Sequence, residues 1–213
     1  MGLSSENEML LDLAQKQAVR YFLELGKHGL ASERSNIAFG YGPEILTLGG
    51  SGMGVMALIV ATERRWISRR NAVMRLLEML TFLEEQVTRY RGMFPHYIHE
   101  DGKTVPIMEP ADNGGDLVET AFLFQGLICA RQYFDRKNPK EAELRSRITE
   151  LWGAVDWNWY TRKSIDSLYW HWSPNFHWKM NHKISGWNEC LIAYVMAASS
   201  PTHAIDPAVY HSC

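Results

Sequence analysis

Apolar residues recur along the chain at the three- and four-residue spacing that buries one face of a helix. Six such runs follow one another, and each begins at a residue that can cap a helix N-terminus. The predicted starts are Ser5 with Glu8 as a capping box, Ser51, Ser68, Asp116, Asn138 with Pro139 and Glu141, and Ser185. The pattern therefore predicts an all-α protein.

Two connections between these helices have the pattern of β-hairpins. Residues 94–107 would turn at Asp101-Gly102, and residues 170–180 would turn at Pro174-Asn175. The second hairpin lies in a connection over residues 156–184, which exceeds the roughly 12 to 15 residues usual for a loop. Alternate loops of a helical array gather at one end, so we expect the functional site at that end.

Composition narrows the choice of partners. The 213 residues carry 22 basic and 24 acidic side chains, a net charge of −2, so we expect no nucleic-acid partner and no attraction to an anionic membrane. Residues 45–61 are the most apolar stretch, but glycine and serine interrupt it, which favours a buried helix over a membrane span. Residues 1–10 lack the basic start and apolar run of a secretory signal.

The glycine-rich segment and the histidines are of the residue types that bind cofactors or metal ions, but neither set matches a known binding motif. Residues 49–54 read GGSGMG, which lacks both the Lys-Ser/Thr pair of a P-loop and the dinucleotide-binding spacing, so we expect close helix packing there. His96 and His99, and further on His171, His177 and His182, fit no zinc motif. We therefore expect no metal ion and no cofactor. Histidines mixed with aromatic residues suit a sugar, which is polar with apolar faces.

Three acidic residues precede and open the fourth helix. Asp116 and Glu119 have the spacing of a capping box, which is a purely structural interpretation. Asp112 lies outside that box, and three neighbouring carboxylates repel one another, so at least one pKa is expected to be raised. A raised pKa is what general acid–base chemistry requires.

Glu189 is a fourth acidic candidate, at the start of the sixth predicted helix. A purely structural interpretation is that it complements the helix dipole there. However, seven of the eight tryptophans fall between positions 152 and 187, and an acid set among aromatic rings keeps its proton because it is desolvated. We expect residues 157–187 to form a sugar-stacking wall beside Glu189. The predicted sugar-binding residues are Trp170, Trp172, His177, Trp178, Trp187, His96 and Tyr97.

Several ordered motifs resemble one known family. They are GSGMG at 50–54, ATERRWIS at 61–68, GDLVETA at 115–121, WNE at 187–189 and SSPTH at 199–203. Together they look like the glycoamylase-like domain of glycoside hydrolase family 144. That resemblance implies an (α/α)6 barrel of twelve helices, of which residues 1–213 would supply the first six as one incomplete domain. It also implies a periplasmic or secreted location.

The resemblance further implies that the activity is that of an inverting endo-β-1,2-glucanase. Members of the family are often labelled glucoamylase. Its carboxylates fall on Asp112, Asp116 and Glu119, which would line the pocket, and on Glu189, the expected proton donor. Inversion requires the acid and base carboxyls to stand about 6.5 to 9.5 Å apart. Asp112 is the candidate base, although the base could also come from the other half or act through a substrate hydroxyl. The expected partners are a glucan or oligosaccharide and a C-terminal half, or second chain, that completes the barrel.

Two other functions remain open on the sequence alone. A non-catalytic carbohydrate-binding or scaffold protein would use the aromatic residues to bind sugar and the acids to cap helices. Lyases, isomerases and glucan transglycosylases also use α/α barrels, so the fold does not decide the chemistry.

Overall fold

Helices dominate the computed structural model, which describes residues 4–34, 44–164 and 166–213. Those residues contain seven α-helices and a short 3-10 helix at Trp157–Thr161. The α-helices are α1 Ser5–Glu24, α2 Leu48–Glu63, α3 Arg69–Glu85, α4 Leu117–Tyr133, α5 Pro139–Gly153, α6 Leu191–Ala198 and α7 Ala208–Ser212. The predicted all-α class is confirmed.

The helices lie in two rows. Helix α4 packs between α2 and α6, and these three helices form one row. Helix α1 packs on α2, α3 packs on α2 and α5, and α5 packs on α4, which places α1, α3 and α5 in the second row. Because α2 and α4 begin beside each other, their N-termini meet at one end of the array.

Glycines bring α2 and α4 into close contact. A Cβ atom at Gly52 would lie 2.0 Å from the carbonyl oxygen of Phe122, and one at Gly126 would lie 2.2 Å from the carbonyl oxygen of Gly52. Backbone therefore packs on backbone along this seam. The prediction that the glycine-rich segment serves helix packing is confirmed.

Replacing Gly52 with alanine is expected to lower the free energy of unfolding by about 3 kcal/mol, because the added methyl group meets rigid backbone of α4. Gly153→Ala is the matched control. Its Cβ would meet its nearest neighbour, Thr202 Cγ2, at an ordinary 3.7 Å, so its stability should stay within about 1 kcal/mol of wild type. Urea unfolding measures both. Equal stability of the two variants would contradict the close packing of α2 on α4.

Three of the predicted helix starts are confirmed. The side chains of Ser68, Asp116 and Asn138 cap α3, α4 and α5 by accepting backbone N–H bonds three residues ahead. Cap residues thus mark a helix start reliably when their own side chain faces the first turn.

Three other starts are wrong. Ser4, not Ser5, caps α1. Helix α2 begins at Leu48, and Ser51 lies inside it, where its hydroxyl donates to the Thr47 carbonyl oxygen and accepts from the N–H of Ala31. Helix α6 begins at Leu191 rather than Ser185, because the Asn188 side chain ties down a separate turn by donating to Ser185 O and accepting from Cys190 N. Helix α7 was not predicted.

Short strands fill the connections between helices. They are β1 Ala31–Ser32, β2 Ile45–Thr47, β3 Tyr97–His99, β4 Gly115–Asp116, β5 Leu168–Tyr169, β6 His171–Trp172 and β7 Lys183–Ile184. The antiparallel pairs are β1 with β2, β2 with β3, β4 with β6, and β5 with β7. Each pair joins segments that are distant in the sequence or flank a long loop.

The two predicted hairpins are therefore only partly correct. The turn at Asp101-Gly102 forms, with the N–H of His99 donating to the Lys103 carbonyl oxygen at 2.8 Å, and the turn at Pro174-Asn175 forms inside a bridge from Ser173 to His177. The strand partners differ, since β3 pairs with β2 and β6 pairs with β4. Strands of two or three residues are too short for sequence periodicity to assign their partners.

Helix α1 extends beyond the rest of the structure. Residues 5–18 are exposed on every side, and their largest apolar members are Met9, Leu10, Leu11 and Leu13. Such an apolar surface normally lies against another protein segment. Among the described residues, no helix combines the length and the apolar character needed to cross a membrane.

Candidate active site

Three carboxylates surround one imidazole ring at the N-terminus of α4. His96 Nδ1 lies 3.1 Å from Asp112 Oδ2 and 3.7 Å from Asp116 Oδ2, and His96 Nε2 lies 3.7 Å from Glu119 Oε1. Four residues that the sequence singled out, three from the connection between α3 and α4 and one from the first turn of α4, thus come together in one cluster. We call Asp112, Asp116, Glu119 and His96 the acidic cluster.

Backbone hydrogen bonds hold the cluster in place. The N–H of Asp116 donates to the Phe94 carbonyl oxygen at 2.8 Å, and the N–H of Leu117 donates to the Trp170 carbonyl oxygen at 2.8 Å. Gly114 allows the close approach of β6, because a Cβ atom there would lie 2.0 Å from the Trp172 carbonyl oxygen. Gly114 therefore holds the segment with Asp112 and Asp116 in a fixed position against the long connection over residues 156–184.

Asp116 is the most buried acid of the cluster, with 1% of its surface exposed. Its Oδ1 accepts from the N–H of Glu119 at 2.8 Å, and its Oδ2 accepts from Trp170 Nε1 at 2.9 Å. Burial raises the pKa of Asp116 to about 7, the His96 charge opposes this, and the charge of Glu119 adds to it. The sequence predicted a raised pKa for at least one of these acids, and Asp116 has one. Its main cause is burial, whereas the prediction was based on repulsion between carboxylates.

Glu119 borders a cavity of about 430 Å³ that His96, Tyr97 and the aromatic rings of Tyr21, Phe22 and Phe122 also line. Burial raises the pKa of Glu119, and the charge of His96 opposes the rise. Glu119 Oε2 accepts from the N–H of Gly49 at 2.9 Å, and a Cβ atom on Gly49 would lie 2.4 Å from that oxygen. The glycine-rich segment therefore also orients a site carboxylate, which the sequence did not reveal.

His96 supplies the positive charge of the cluster. Burial lowers its pKa, but the hydrogen bond to Asp112 and the charges of Asp116, Glu119 and Asp112 outweigh burial and raise the pKa to about 9. The ring of Tyr97 stacks on it with centroids 3.8 Å apart. His96 is thus an imidazolium at neutral pH, and it partly neutralises the three acids.

We expect the free energy of unfolding to depend on pH through the charge of His96. A pKa raised from 6.5 to about 9 contributes stability that is fully present below pH 6.5 and is lost as the pH rises through 9. Urea unfolding of wild type and His96→Asn between pH 6 and 9.5 measures this contribution. The difference between the two proteins should shrink by up to about 3 kcal/mol over that range. A difference that stays constant, or grows with pH, would contradict a charged His96.

His96, Asp112 and Asp116 also have the spacing of metal ligands, since their ligand atoms lie within 4.8 Å of one another. The fit to a metal ion is poor. Both Asp116 oxygens already accept N–H bonds, and the raised pKa of His96 opposes the loss of the proton that metal binding requires.

Glu189 does not have the environment that the sequence predicted. It is exposed and lies two residues before α6 rather than in its first turn. Trp187 is 83% exposed, so the expected burial of Glu189 among tryptophans is wrong for this chain. Burial first, and then the charges of the neighbouring Glu189 and of Asp116 and Glu119, raise the pKa of the Cys190 thiol to about 11.

The predicted sugar-stacking wall is wrong for its first member. Trp157 is fully buried in the core. Trp159 contacts Trp172 and Trp178 with centroids 5.4 and 4.8 Å apart, so these rings cover part of one another. Trp159, Trp172 and Trp178 nevertheless keep part of their surface exposed, so the sugar-stacking role of the rest of the wall stays a prediction.

The remaining predicted sugar-binding residues have different surroundings. Trp170 donates its indole N–H to Asp116 and stacks on His182 with centroids 5.0 Å apart. His177 is exposed at the tip of the turn, with its ring centroid 6.0 Å from that of Trp172. Tyr97 lies on the cavity beside Glu119. Sugar contact by these residues stays a prediction.

One residue of the site was not among the predicted catalytic or sugar-binding residues. His171 Nε2 lies 3.4 Å from Asp112 Oδ1, so Asp112 stands between two histidines. The sequence singled out His171 only as part of a histidine group without a zinc motif. Its register opposite Asp116 in the β4–β6 pair is the feature that brings it to the cluster, and no local pattern encodes that register.

The comparisons with known proteins agree with the glycoamylase-like resemblance that the motifs indicated. Residues 181–213 match the family profile described as "Putative glucoamylase". A Parabacteroides distasonis protein, named exo β-1,2-glucooligosaccharide sophorohydrolase (non-reducing end), is 45% identical over 208 residues, which are 97% of this chain and 28% of that protein. The predicted resemblance is confirmed.

Solved structures of similar proteins share the fold of this chain. An endo-β-1,2-glucanase from Chitinophaga pinensis, in complex with sophorotriose and glucose, is 44% identical with a TM-score of 0.90, over 99% of this chain and 50% of that chain. A structure described as a "putative glucoamylase" from Bacteroides uniformis is 45% identical with a TM-score of 0.91, over the same shares. The chain thus spans about half the length of these solved relatives.

Proposed function

We propose that this chain carries one half of the catalytic domain of an inverting endo-β-1,2-glucanase. The observation that carries the proposal is the acidic cluster, in which Asp112, Asp116 and Glu119 surround a charged His96 beside a cavity of about 430 Å³. Helix capping accounts for Asp116 alone. It does not account for Asp112, whose carboxylate is buried against two histidines. The names and the identity of the relatives support β-1,2-glucan as the substrate.

In the proposed reaction Glu189 and Asp112 act on opposite faces of the sugar. The carboxyl group of Glu189 gives its proton to the glycosidic oxygen as the bond to the anomeric carbon breaks. Asp112 takes a proton from the water that attacks the same carbon from the other side, which inverts the configuration. The ring of His96, 3.1 Å from Asp112 Oδ2, would hold that carboxylate in position.

The other acids orient the site. Asp116 fixes the start of α4 and the Trp170 indole through its two hydrogen bonds. Glu119 faces the cavity from a position set by the N–H of Gly49 and has an oxygen available to accept a sugar hydroxyl. Tyr97 and the other aromatic rings of the cavity would contact the apolar face of that sugar.

We further propose that a C-terminal half, of the kind the relatives carry, completes the domain. The exposed apolar residues of α1 and Trp187 beside Glu189 support this, because a second half would cover apolar surface and desolvate Glu189. The 213 residues would then be one incomplete domain.

The experiment uses a joined protein, in which residues 1–213 precede the second half of the Chitinophaga pinensis endo-β-1,2-glucanase. We expect it to release reducing ends from linear β-1,2-glucan and not from starch, and we expect proton NMR to detect the α-anomer first, since inversion of a β-linkage yields it. The same joined protein with Asp112→Asn and Glu189→Gln together is the control.

Other outcomes identify the alternatives. Binding of β-1,2-glucan without release of reducing ends would indicate a carbohydrate-binding protein. An unsaturated product that absorbs in the ultraviolet would indicate a lyase. Either result overturns the proposal.

A further inference from the structure

The carboxylate of Asp112 has a different imidazole ring beside each oxygen. His96 Nδ1 lies 3.1 Å from Oδ2, and His171 Nε2 lies 3.4 Å from Oδ1. Asp112 itself is buried. We propose that His171 is a positioning residue that holds Asp112 from the side opposite His96, an inference that rests on the proposed function of this site.

Hydrogen-bond accounting assigns the ring hydrogen of His171 to Nε2. Nδ1 is buried and has no hydrogen-bond partner among the residues that the structure describes. A hydrogen on Nδ1 would leave a buried donor unpaired and would also point the lone pair of Nε2 at a carboxylate oxygen, and both are unfavourable. A hydrogen on Nε2 takes away the acceptor of the Gly114 N–H at 3.4 Å, but it turns a ring N–H rather than a lone pair toward Asp112 Oδ1, also 3.4 Å away. The negative charge of that carboxylate favours this tautomer, so Nε2–H faces Asp112.

The two histidines differ in charge. Burial lowers the pKa of His171, with the Asp112 charge opposing and the His96 charge adding to the effect, whereas the pKa of His96 is raised to about 9. At neutral pH a neutral ring and an imidazolium therefore hold the same carboxylate. The neutral ring fixes the direction of Asp112 without adding a second positive charge to the cluster.

The backbone explains why His171 reaches the cluster. In the β4–β6 pair His171 stands opposite Asp116, and Trp172 stands opposite Gly115. Neighbouring residues of a strand point to opposite faces, so His171 meets the acids while Trp172 meets Trp159. The long connection thus contributes a polar side chain to the site as well as aromatic rings.

Three substitutions at one position test the inference in the joined protein. Glutamine places its amide N–H near the position of Nε2, whereas asparagine reaches only the position of Nδ1, and alanine removes both. We expect His171→Ala and His171→Asn to lower kcat on β-1,2-glucan about 10-fold or more with KM within about twofold, and His171→Gln to stay within about threefold of wild type. His99→Ala, whose partly exposed ring lies against Asp101 at the hairpin turn, should leave both kinetic constants unchanged.

A second measurement does not depend on activity. In the 213-residue chain, NMR titration of the His96 ring should find its pKa of about 9 lowered by about one unit in His171→Asn and His171→Ala, because a released Asp112 pairs less closely with His96. His171→Gln should keep the wild-type value. Circular dichroism checks folding, and the Gln–Asn comparison remains if His171→Ala does not fold.

Equal kcat and equal His96 pKa in the glutamine and asparagine variants would overturn the inference. Failure of the proposed function gives a different result, since the wild-type joined protein would then be inactive on β-1,2-glucan. In that case the order of the His96 pKa values still decides whether His171 positions Asp112.

Discussion

Asparagine in place of Asp112 is expected to lower the kcat of the joined protein on β-1,2-glucan by about 10²- to 10⁴-fold. The amide cannot take the proton of the attacking water, and a positioned base contributes about this much to a rate. Because the hydrogen-bonded carboxylate is also a main reason for the raised pKa of His96, NMR titration of the 213-residue chain should find that pKa lowered towards 6.5 in the same variant.

Asp101→Asn is the matched control, since Asp101 lies at an exposed hairpin turn and pairs with Lys103 at 2.7 Å. Its kcat and the His96 pKa should equal those of wild type. An Asp112→Asn protein that hydrolyses β-1,2-glucan at the wild-type rate would remove Asp112 from the reaction. A lowered His96 pKa with full activity would leave Asp112 a structural role only.

The second large effect concerns the apolar surface of α1. Leu10→Asp together with Leu13→Asp should weaken binding of the separately produced second half by at least about 100-fold, because each buried leucine contributes about 1.5 to 3 kcal/mol. The free energy of unfolding of the 213-residue chain should change little, since these side chains are 63% and 53% exposed in it. Calorimetric titration and urea unfolding measure the two quantities.

Met74→Asp on α3 serves as the control for an added charge at an apolar position. Met74 is 47% exposed and lies in the surface groove between α3 and α5. It should leave binding of the second half unchanged. If the α1 variant binds as tightly as wild type, the exposed leucines do not form the contact between the halves.

Local patterns in the sequence were enough to predict most helices. Ser68, Asp116 and Asn138 each cap the helix that follows, because the cap bond spans only three residues. The start of α6 was missed because Ser185 and Asn188 are both cap-like residues, and Asn188 uses its side chain for a separate turn. Cap residues alone do not distinguish a turn from a helix start.

The candidate site was predictable where the residues are close in sequence. Asp112, Asp116 and Glu119 lie within eight positions, so their convergence follows from one helix start. His171 and Gly49 join the site only through the β4–β6 register and the α2–α4 packing, which depend on contacts between distant segments. The environment of Glu189 was predicted wrongly, because the tryptophans contact one another instead of the acid.

Glu189→Gln in the joined protein, assayed on two substrates, tests the central claim most directly. A glucan needs a proton on its leaving oxygen, whereas 2,4-dinitrophenyl β-sophoroside has a leaving group that departs without one. If Glu189 is the proton donor, the substitution lowers kcat on β-1,2-glucan by about 10²- to 10⁴-fold and changes the rate on the dinitrophenyl substrate by less than about tenfold. Equal losses on both substrates, or no loss on either, would contradict the account.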